Sequence, residues 1–206
     1  DSVMLVQKDS PIRSPRDLSG KSMGGNTASD IYVAATRAWV DAAGGDGKSI
    51  RAIELNPSEQ LAALQAGRID ATVLKAPLYT VGLDTGKLRI LGKPLDAIAP
   101  RFLLSAWVST ADYIAKNPDI VNAFVAANME GARYSAAHAA ETIPMVAQYT
   151  GLDPVLIQHS VRAIDVDSFT LADVQKPLDF CYKYGIIGKQ FDASLVLAPS
   201  VPISRR

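Results

Sequence analysis

The segment Gly24-Gly-Asn-Thr-Ala-Ser-Asp30 contains the residues best suited to binding chemistry. A short apolar stretch precedes it and a helical pattern over 31–43 follows, so it is predicted to join a strand to the start of a helix. Backbone amides at a helix start, with the hydroxyls of Thr27 and Ser29, suit an oxyanion such as a sulfonate, a carboxylate or nitrate. The candidate ligand residues of this loop are therefore Asn26, Thr27, Ala28, Ser29 and Asp30.

A purely structural role for the same loop is equally compatible with these residue types. Ser29 or Asp30 could cap the following helix while the glycines only form the turn. The carboxylate of Asp30 would repel an anion unless it caps the helix or meets a cationic part of the ligand. Both interpretations stay open at this point.

Lys75 is the second candidate. The sequence predicts an amphipathic helix that ends at Gly67, a strand over 69–74 and a break at Lys75-Ala-Pro77. Ligands of open α/β sheets bind outside the carboxyl ends of the strands, so the Lys75 ammonium could balance an anion held by the first loop. Pro77 would fix the turn beside it. The alternative is a solvated surface lysine.

Two aromatic residues complete the candidate set. Tyr79 follows Lys75 by one turn and could stack on a ligand or only cover the core. Trp107 lies in an apolar run over 101–108 that is predicted to be a long strand. It could face a ligand cleft, although a large aromatic residue in such a run is more often part of the core.

Alternating strands and helices in the first half predict an α/β fold with a parallel type of sheet. The predicted strands are 3–6, 21–23, 50–55, 69–74 and 88–91. After residue 109 the pattern is helical, and the predicted helices are 110–116, 118–139, 142–149, 154–161 and 171–184. These helices are expected to cover the faces and the edge of the sheet.

Composition disfavours several classes of function. The 206 residues have a formal net charge of zero and no basic stripe, which disfavours nucleic acid as a partner. No apolar run reaches the roughly twenty residues that span a bilayer. Cys181 is the only cysteine, so neither an internal disulfide nor a cysteine-based zinc site is possible.

Catalytic motifs are also missing from the sequence. There is no Gly-x-Ser-x-Gly, no phosphate-binding Gly-x-x-x-x-Gly-Lys-Ser/Thr and no His-Glu-x-x-His. His138 and His159 lie on separate predicted helices. We therefore expect a protein that is not an enzyme and that carries no metal and no cofactor.

The stretch Asp9-Ser-Pro-Ile-Arg-Ser-Pro-Arg-Asp-Leu-Ser-Gly-Lys21, followed by the two segments above, resembles the solute-binding proteins of ABC importers. The resembled group is the NMT1/THI5-like, or aliphatic-sulfonate-binding, family. This resemblance implies a type II periplasmic-binding-protein fold with two lobes, a hinge and a ligand cleft between the lobes. It also implies capture of a small anion (a sulfonate, taurine or nitrate), delivery to a permease, and a periplasmic or lipid-anchored extracellular location.

The resemblance also suggests a division of the chain. Residues 1–20 would form a strand and hinge of lobe one, 21–100 a complete lobe two, and 101–206 the return strand and helical tail of lobe one. The chain starts at Asp1 and enters a predicted strand at once, so the N-terminal part of lobe one is expected to be absent. The predicted strands at 3–6 and 102–108 would be the hinge segments.

Two other classes remain as alternatives. One is the effector-binding domain of a LysR-type transcription regulator, which shares this architecture. The other is a relative that synthesises or binds a thiamine pyrimidine. Members that perform the synthesis use a cysteine-rich stretch with a reactive histidine, and the isolated Cys181 departs from that pattern.

Overall fold

A computed structural model of the chain describes residues 2–160, 168–198, 201, 203 and 204. The chain divides into two compact units. Among the described residues, the first unit comprises 2–100, 160 and 179–189. The second unit comprises 101–159, 168–178 and 190–198, with 201, 203 and 204.

The first unit is built on a five-stranded sheet with the strand order β3-β2-β4-β1-β5. Its strands are β1 (Ser2–Gln7), β2 (Ser22–Gly25), β3 (Arg51–Glu54), β4 (Ala71–Lys75) and β5 (Leu88–Gly92). Strands β2, β3 and β4 are parallel, while β1 runs antiparallel to both of its neighbours, β4 and β5. The sheet is therefore mixed, whereas a parallel type was predicted.

Strand β1 lies inside this sheet, which differs from the expected division that gave residues 1–20 to the other lobe. Val3, Met4, Leu5 and Val6 are all buried, as befits a strand covered on both faces. The apolar run predicts such a strand, but it does not say which strands pair with it.

Two helices cover the opposite faces of the sheet. Helix α1 (Ile31–Ala42) buries Val33 and Val40 against Met4 and Val6. Helix α2 (Pro57–Gln65) packs with residues of the other face, in a cluster that contains Leu5, Leu61, Leu64, Leu74 and Leu88. Helix α3 (Leu78–Asp84) follows β4, and short 3-10 turns occupy Pro15–Leu18, Gly47–Ser49 and Pro94–Ala97.

The second unit is helical. It contains α4 (Ala111–Lys116), α5 (Pro118–Ala137), α6 (Ala139–Thr150) and α7 (Pro154–His159). Helix α8 (Leu171–Lys183) begins in the second unit and ends in the first. The predicted helix 154–161 ends beyond the described residues, since 161 lies outside them. None of the helices within the described ranges is both long and apolar enough to cross a membrane.

The predicted strand over 101–108 is wrong, because the structure assigns neither strand nor helix to this segment. A strand requires a neighbouring ladder of hydrogen bonds. Here the amide of Leu103 donates to the carbonyl of Asp173 at 2.9 Å, and Arg101 Nε forms an ion pair with the Asp173 carboxylate at 3.5 Å. Farther along, Trp107 and Val108 are 77% and 92% exposed.

Candidate functional site

The loop over 26–30 is closed by the carboxylate of Asp30, which is the N-cap of α1. Asp30 Oδ1 accepts a hydrogen bond from the Tyr32 amide at 2.7 Å, and Oδ2 accepts one from the Asn26 amide at 3.1 Å. The Asp30 amide donates to the carbonyl of Thr27 at 3.2 Å. Of the two predicted caps, Asp30 is thus the one that the structure uses. Both of its carboxylate oxygens are paired with backbone amides.

A second carboxylate, that of Glu54 at the end of β3, also bonds to this loop. Its Oε1 accepts a hydrogen bond from the Ala28 amide at 3.0 Å. The Ala28 amide, predicted to face a ligand, is therefore bonded within the protein. Sequence reasoning missed Glu54. The contact depends on β2 and β3 being parallel neighbours whose carboxyl ends lie together, and residue types alone do not say which strands are neighbours.

Several donors at the start of α1 remain available. Within the described part of the chain, the amides of Thr27, Ser29, Ile31 and Val33 bond to no other group, and neither do the hydroxyls of Thr27 and Ser29. Thr27 and Ser29 are exposed. Val33 is fully buried, so three of these amides, at the positive end of the helix dipole and with two hydroxyls beside them, can hold an anion. Thr27 and Ser29 were predicted as ligand residues, while Ile31 was not.

Lys75 lies, like this loop, at the carboxyl ends of the parallel strands. It is the last residue of β4, which ends one residue later than the predicted strand 69–74, and it is exposed. Because β4 and β2 are parallel neighbours, their carboxyl ends lie side by side. The Nζ atom of Lys75 is 5.9 Å from the centroid of the Tyr32 ring, which belongs to the first turn of α1. Tyr32 is thus a further candidate that sequence reasoning missed.

Pro77 and Tyr79 follow Lys75 closely in the chain. The Ala76–Pro77 peptide bond is cis, and Pro77 precedes the first residue of α3. Tyr79 is partly buried and packs against the cluster that contains Leu61 and Leu64. This packing favours the core-covering role that was one of its two predicted roles.

Trp107 belongs to the second unit, whereas the other eight predicted ligand residues belong to the first. The Trp107 side chain contacts Phe124 edge to face, with ring centroids 5.4 Å apart. The prediction that it lay on a strand is wrong, and its role toward a ligand stays a prediction.

The single cysteine and the two histidines of the chain are its most obvious candidates for nucleophilic or acid–base chemistry. Cys181 is half-buried on α8, and its burial raises the pKa of the thiol, which favours the less nucleophilic protonated form. His138 and His159 are exposed on α5–α6 and α7. Throughout the described ranges, no three His, Cys, Asp or Glu side chains are grouped so that they could hold a metal ion.

The chain has an α/β fold of the type II periplasmic-binding-protein kind, and its candidate site is an anion-compatible loop at the carboxyl ends of the strands. The sequence profile of the family described as NMT1/THI5 like matches residues 2–142. The chain belongs to this family, which confirms the resemblance seen in the sequence.

Two similar proteins are described as sulfonate-binding proteins. One, from Escherichia coli (strain K12), is described as an aliphatic sulfonates-binding protein and is 24% identical over 201 residues, which cover 92% of this chain. The chain spans 60% of that protein's length. The other is the alkanesulfonate-binding protein SsuA from Xanthomonas axonopodis pv. citri bound to MOPS. The match with its structure covers 96% of this chain and 69% of the SsuA chain, with a TM-score of 0.74 and 19% sequence identity.

An enzyme shares the fold as well. The structure of the desulfurization enzyme DSZB matches 97% of this chain and 74% of its own, with a TM-score of 0.61 and 15% identity. One architecture therefore serves both binding and catalysis, so the function must be argued from the site.

Proposed function

We propose that this protein is the solute-binding component of an ABC importer and that it captures a small anion, with alkanesulfonates as the first candidates. The observation that carries this proposal is the set of available donors at one edge of the sheet. The amides and hydroxyls of Thr27 and Ser29 lie at the start of α1, and the Lys75 ammonium lies at the adjacent strand end.

This set of donors suits a sulfonate group. A sulfonate spreads one negative charge over three oxygen atoms, so several weak donors and one cation match it better than a single buried counter-charge. Asp30 and Glu54 do not use up these donors, because they accept from the amides of Asn26, Tyr32 and Ala28.

The ligand's apolar part also has a candidate contact. The ring of Tyr32 lies beneath the Lys75 ammonium and is only partly buried. An alkyl chain attached to the sulfonate could pack on the exposed part of this ring. A protein that took nitrate alone would gain nothing from such a surface.

Known relatives support the transport role. The Escherichia coli and Xanthomonas axonopodis relatives are described as sulfonate-binding proteins, and in this class of protein the ligand is captured outside the cytoplasm and handed to a permease. We infer the same location and partner for this protein.

Thermal unfolding against a panel of ligands tests the proposal. A ligand that binds only the folded state raises the melting temperature as its concentration rises. Ethanesulfonate, taurine and MOPS should raise it, and the shift should disappear in the double variant Thr27→Ala/Ser29→Ala. Nitrate, acetate and uracil form the comparison set. A shift with uracil and none with any sulfonate would contradict the proposed ligand class.

A further inference from the structure

Gln60 is a buried polar residue on α2 that connects the core of the sheet to the ligand loop. Its side chain is 3% exposed. Its Nε2 donates to the carbonyl of Leu55 at 2.7 Å and to Oδ1 of Asn26 at 3.2 Å. Its Oε1 accepts a hydrogen bond from the Thr72 hydroxyl at 2.6 Å.

The orientation of this amide is fixed by its partners. The Leu55 carbonyl can only accept a hydrogen bond, so the nitrogen of the Gln60 amide must face it. The oxygen then faces Thr72, which lies on β4 and is fully buried. Gln60 is therefore anchored at one end by the core, and its second N–H is directed at Asn26.

Gly24 makes the approach of Gln60 possible. A β-carbon at position 24 would lie 2.9 Å from Cγ of Gln60, closer than real β-carbons come to such an atom. The absence of a side chain at Gly24 thus lets α2 reach the carboxyl end of β2. Asn26, the first residue of the loop, follows two positions later.

We propose that Gln60 is a positioning residue for the ligand loop and that it acts through Asn26. The amide of Asn26 donates to the carboxylate of Asp30, which in turn caps α1. Holding the Asn26 side chain therefore holds the turn that presents Thr27 and Ser29. The role of the loop in binding rests on the proposed function, whereas its anchoring by Gln60 rests on the contacts alone.

Amide hydrogen exchange in the ligand-free protein tests the anchoring. The amides to follow are those of Asn26 and Asp30, which are hydrogen-bonded inside the loop, and that of Ala28, which is bonded to Glu54 of β3. The variants are Gln60→Met, which keeps the volume but removes the amide, Asn26→Ala, and the two combined. Gln65→Met is the matched control on the same helix. Gln65 accepts a hydrogen bond from Gln7 through its backbone carbonyl, so replacing its side chain leaves that bond in place.

The expected result is exchange at these three amides that is about three- to tenfold faster in Gln60→Met and in Asn26→Ala, as the loss of one hydrogen bond gives. Exchange in the combined variant should be no faster than in Asn26→Ala, because both substitutions remove the same Gln60–Asn26 hydrogen bond. The dissociation constant for ethanesulfonate should rise in parallel. Gln65→Met should leave the exchange and the affinity unchanged.

Two results would overturn the proposal. One is unchanged loop exchange in Gln60→Met, which would leave Gln60 a purely structural residue. The other is additive effects in the combined variant. Should Gln60→Met fail to fold, Asn26→Ala tests the same contact from its exposed partner. Should the wild-type protein bind no sulfonate, the proposed function fails, while the exchange rates still decide whether Gln60 holds the loop.

Discussion

The ammonium group of Lys75 lies over the ring of Tyr32, 5.9 Å from its centroid. The pair joins the end of β4 to the first turn of α1, the two elements that border the candidate site. A cation–π contact at an exposed position is worth only about 0.5–1 kcal/mol. The Lys75 charge is therefore held near the loop and remains available to an incoming anion.

Replacing Lys75 by methionine should weaken sulfonate binding more than tenfold, since a hydrogen bond to a charged group contributes about 1.5–3 kcal/mol. The free energy of unfolding should change little, because the side chain is exposed. Isothermal titration with ethanesulfonate measures the first quantity and urea denaturation the second.

Lys8→Met is the matched control for this substitution. Lys8 is also exposed and follows β1. Because β1 runs antiparallel to β4, Lys8 lies near the amino end of β4, at the opposite end of the strands from Lys75. Equal losses of affinity in the two variants would mean that Lys75 acts only through the net charge.

Asp30 should be replaceable by asparagine without loss of the helix cap, because the two residues cap helices about equally well and the asparagine oxygen can still accept from the Tyr32 amide. The substitution removes a negative charge beside the anion site, but its NH2 group cannot accept from the Asn26 amide as Asp30 Oδ2 does. Loss of the charge, worth ~1 kcal/mol at a partly exposed position, should raise the affinity for ethanesulfonate by up to about fivefold, and the lost loop bond should reduce this gain.

Asp30→Ala separates the cap from the charge. It should lower the free energy of unfolding by about 1 kcal/mol, because the Tyr32 amide loses its acceptor. Weaker ethanesulfonate binding in Asp30→Asn would show that the carboxylate itself meets a cationic part of the ligand or shapes the loop.

Asp70 should make the stability of the first unit depend on pH. Burial disfavours its charged form, but the amide and hydroxyl of Ser22 donate to its Oδ2 at 2.8 and 2.7 Å and outweigh that effect, so the pKa of Asp70 is lowered. A lowered pKa contributes stability that is fully present above the unfolded value of about 4. This contribution is lost as the pH falls through the lower folded value.

The variant Asp70→Asn should therefore be less stable than the wild type by about 1 kcal/mol or less at pH 7, and the difference should shrink below about pH 4. Urea denaturation at pH 7 and at pH 3 measures it. Asp9→Asn, at an exposed carboxylate, is the control and should show no such change. A difference that persists undiminished at pH 3 would rule out the charge of Asp70 as its cause.

Gly24 and Gly131 should respond oppositely to replacement by alanine. At Gly24 the added carbon meets Gln60 and Ile69 at 2.9 and 3.0 Å, so overpacking should cost about 1–3 kcal/mol. At Gly131, inside α5, it meets nothing within 4 Å, and the higher helix propensity of alanine should stabilise the helix by ~0.5–1 kcal/mol. Thermal unfolding of each variant checks the signs, and a stable Gly24→Ala protein would contradict the tight packing of Gln60.

Local patterns predicted the parts of the fold that depend on near neighbours. The start of α2 has this local character, since Asn56 Oδ1 accepts from the Glu59 amide while Glu59 accepts from the Asn56 amide, both at 3.1 Å. All the participants lie within four residues, so the spacing of residues in the sequence is sufficient to predict such a cap. The same holds for the cap that Asp30 supplies to α1.

Contacts between distant segments were not predictable. Glu54 reaches the Ala28 amide from another strand, and Gln60 reaches Asn26 from another helix. Residue types alone do not state which strands are neighbours or in which register. For the same reason the apolar run at 101–108 was wrongly predicted to be a strand, because a strand exists only with a partner.

An NMR titration of the protein with ethanesulfonate tests the central claim most directly, because it reports both binding and its location. The account predicts saturable shifts of the Thr27, Ser29 and Ile31 amides, with much smaller shifts at the opposite end of the strands near Lys8. Saturable shifts confined to other residues, or no shifts at millimolar ethanesulfonate while another ligand class produces them, would contradict it.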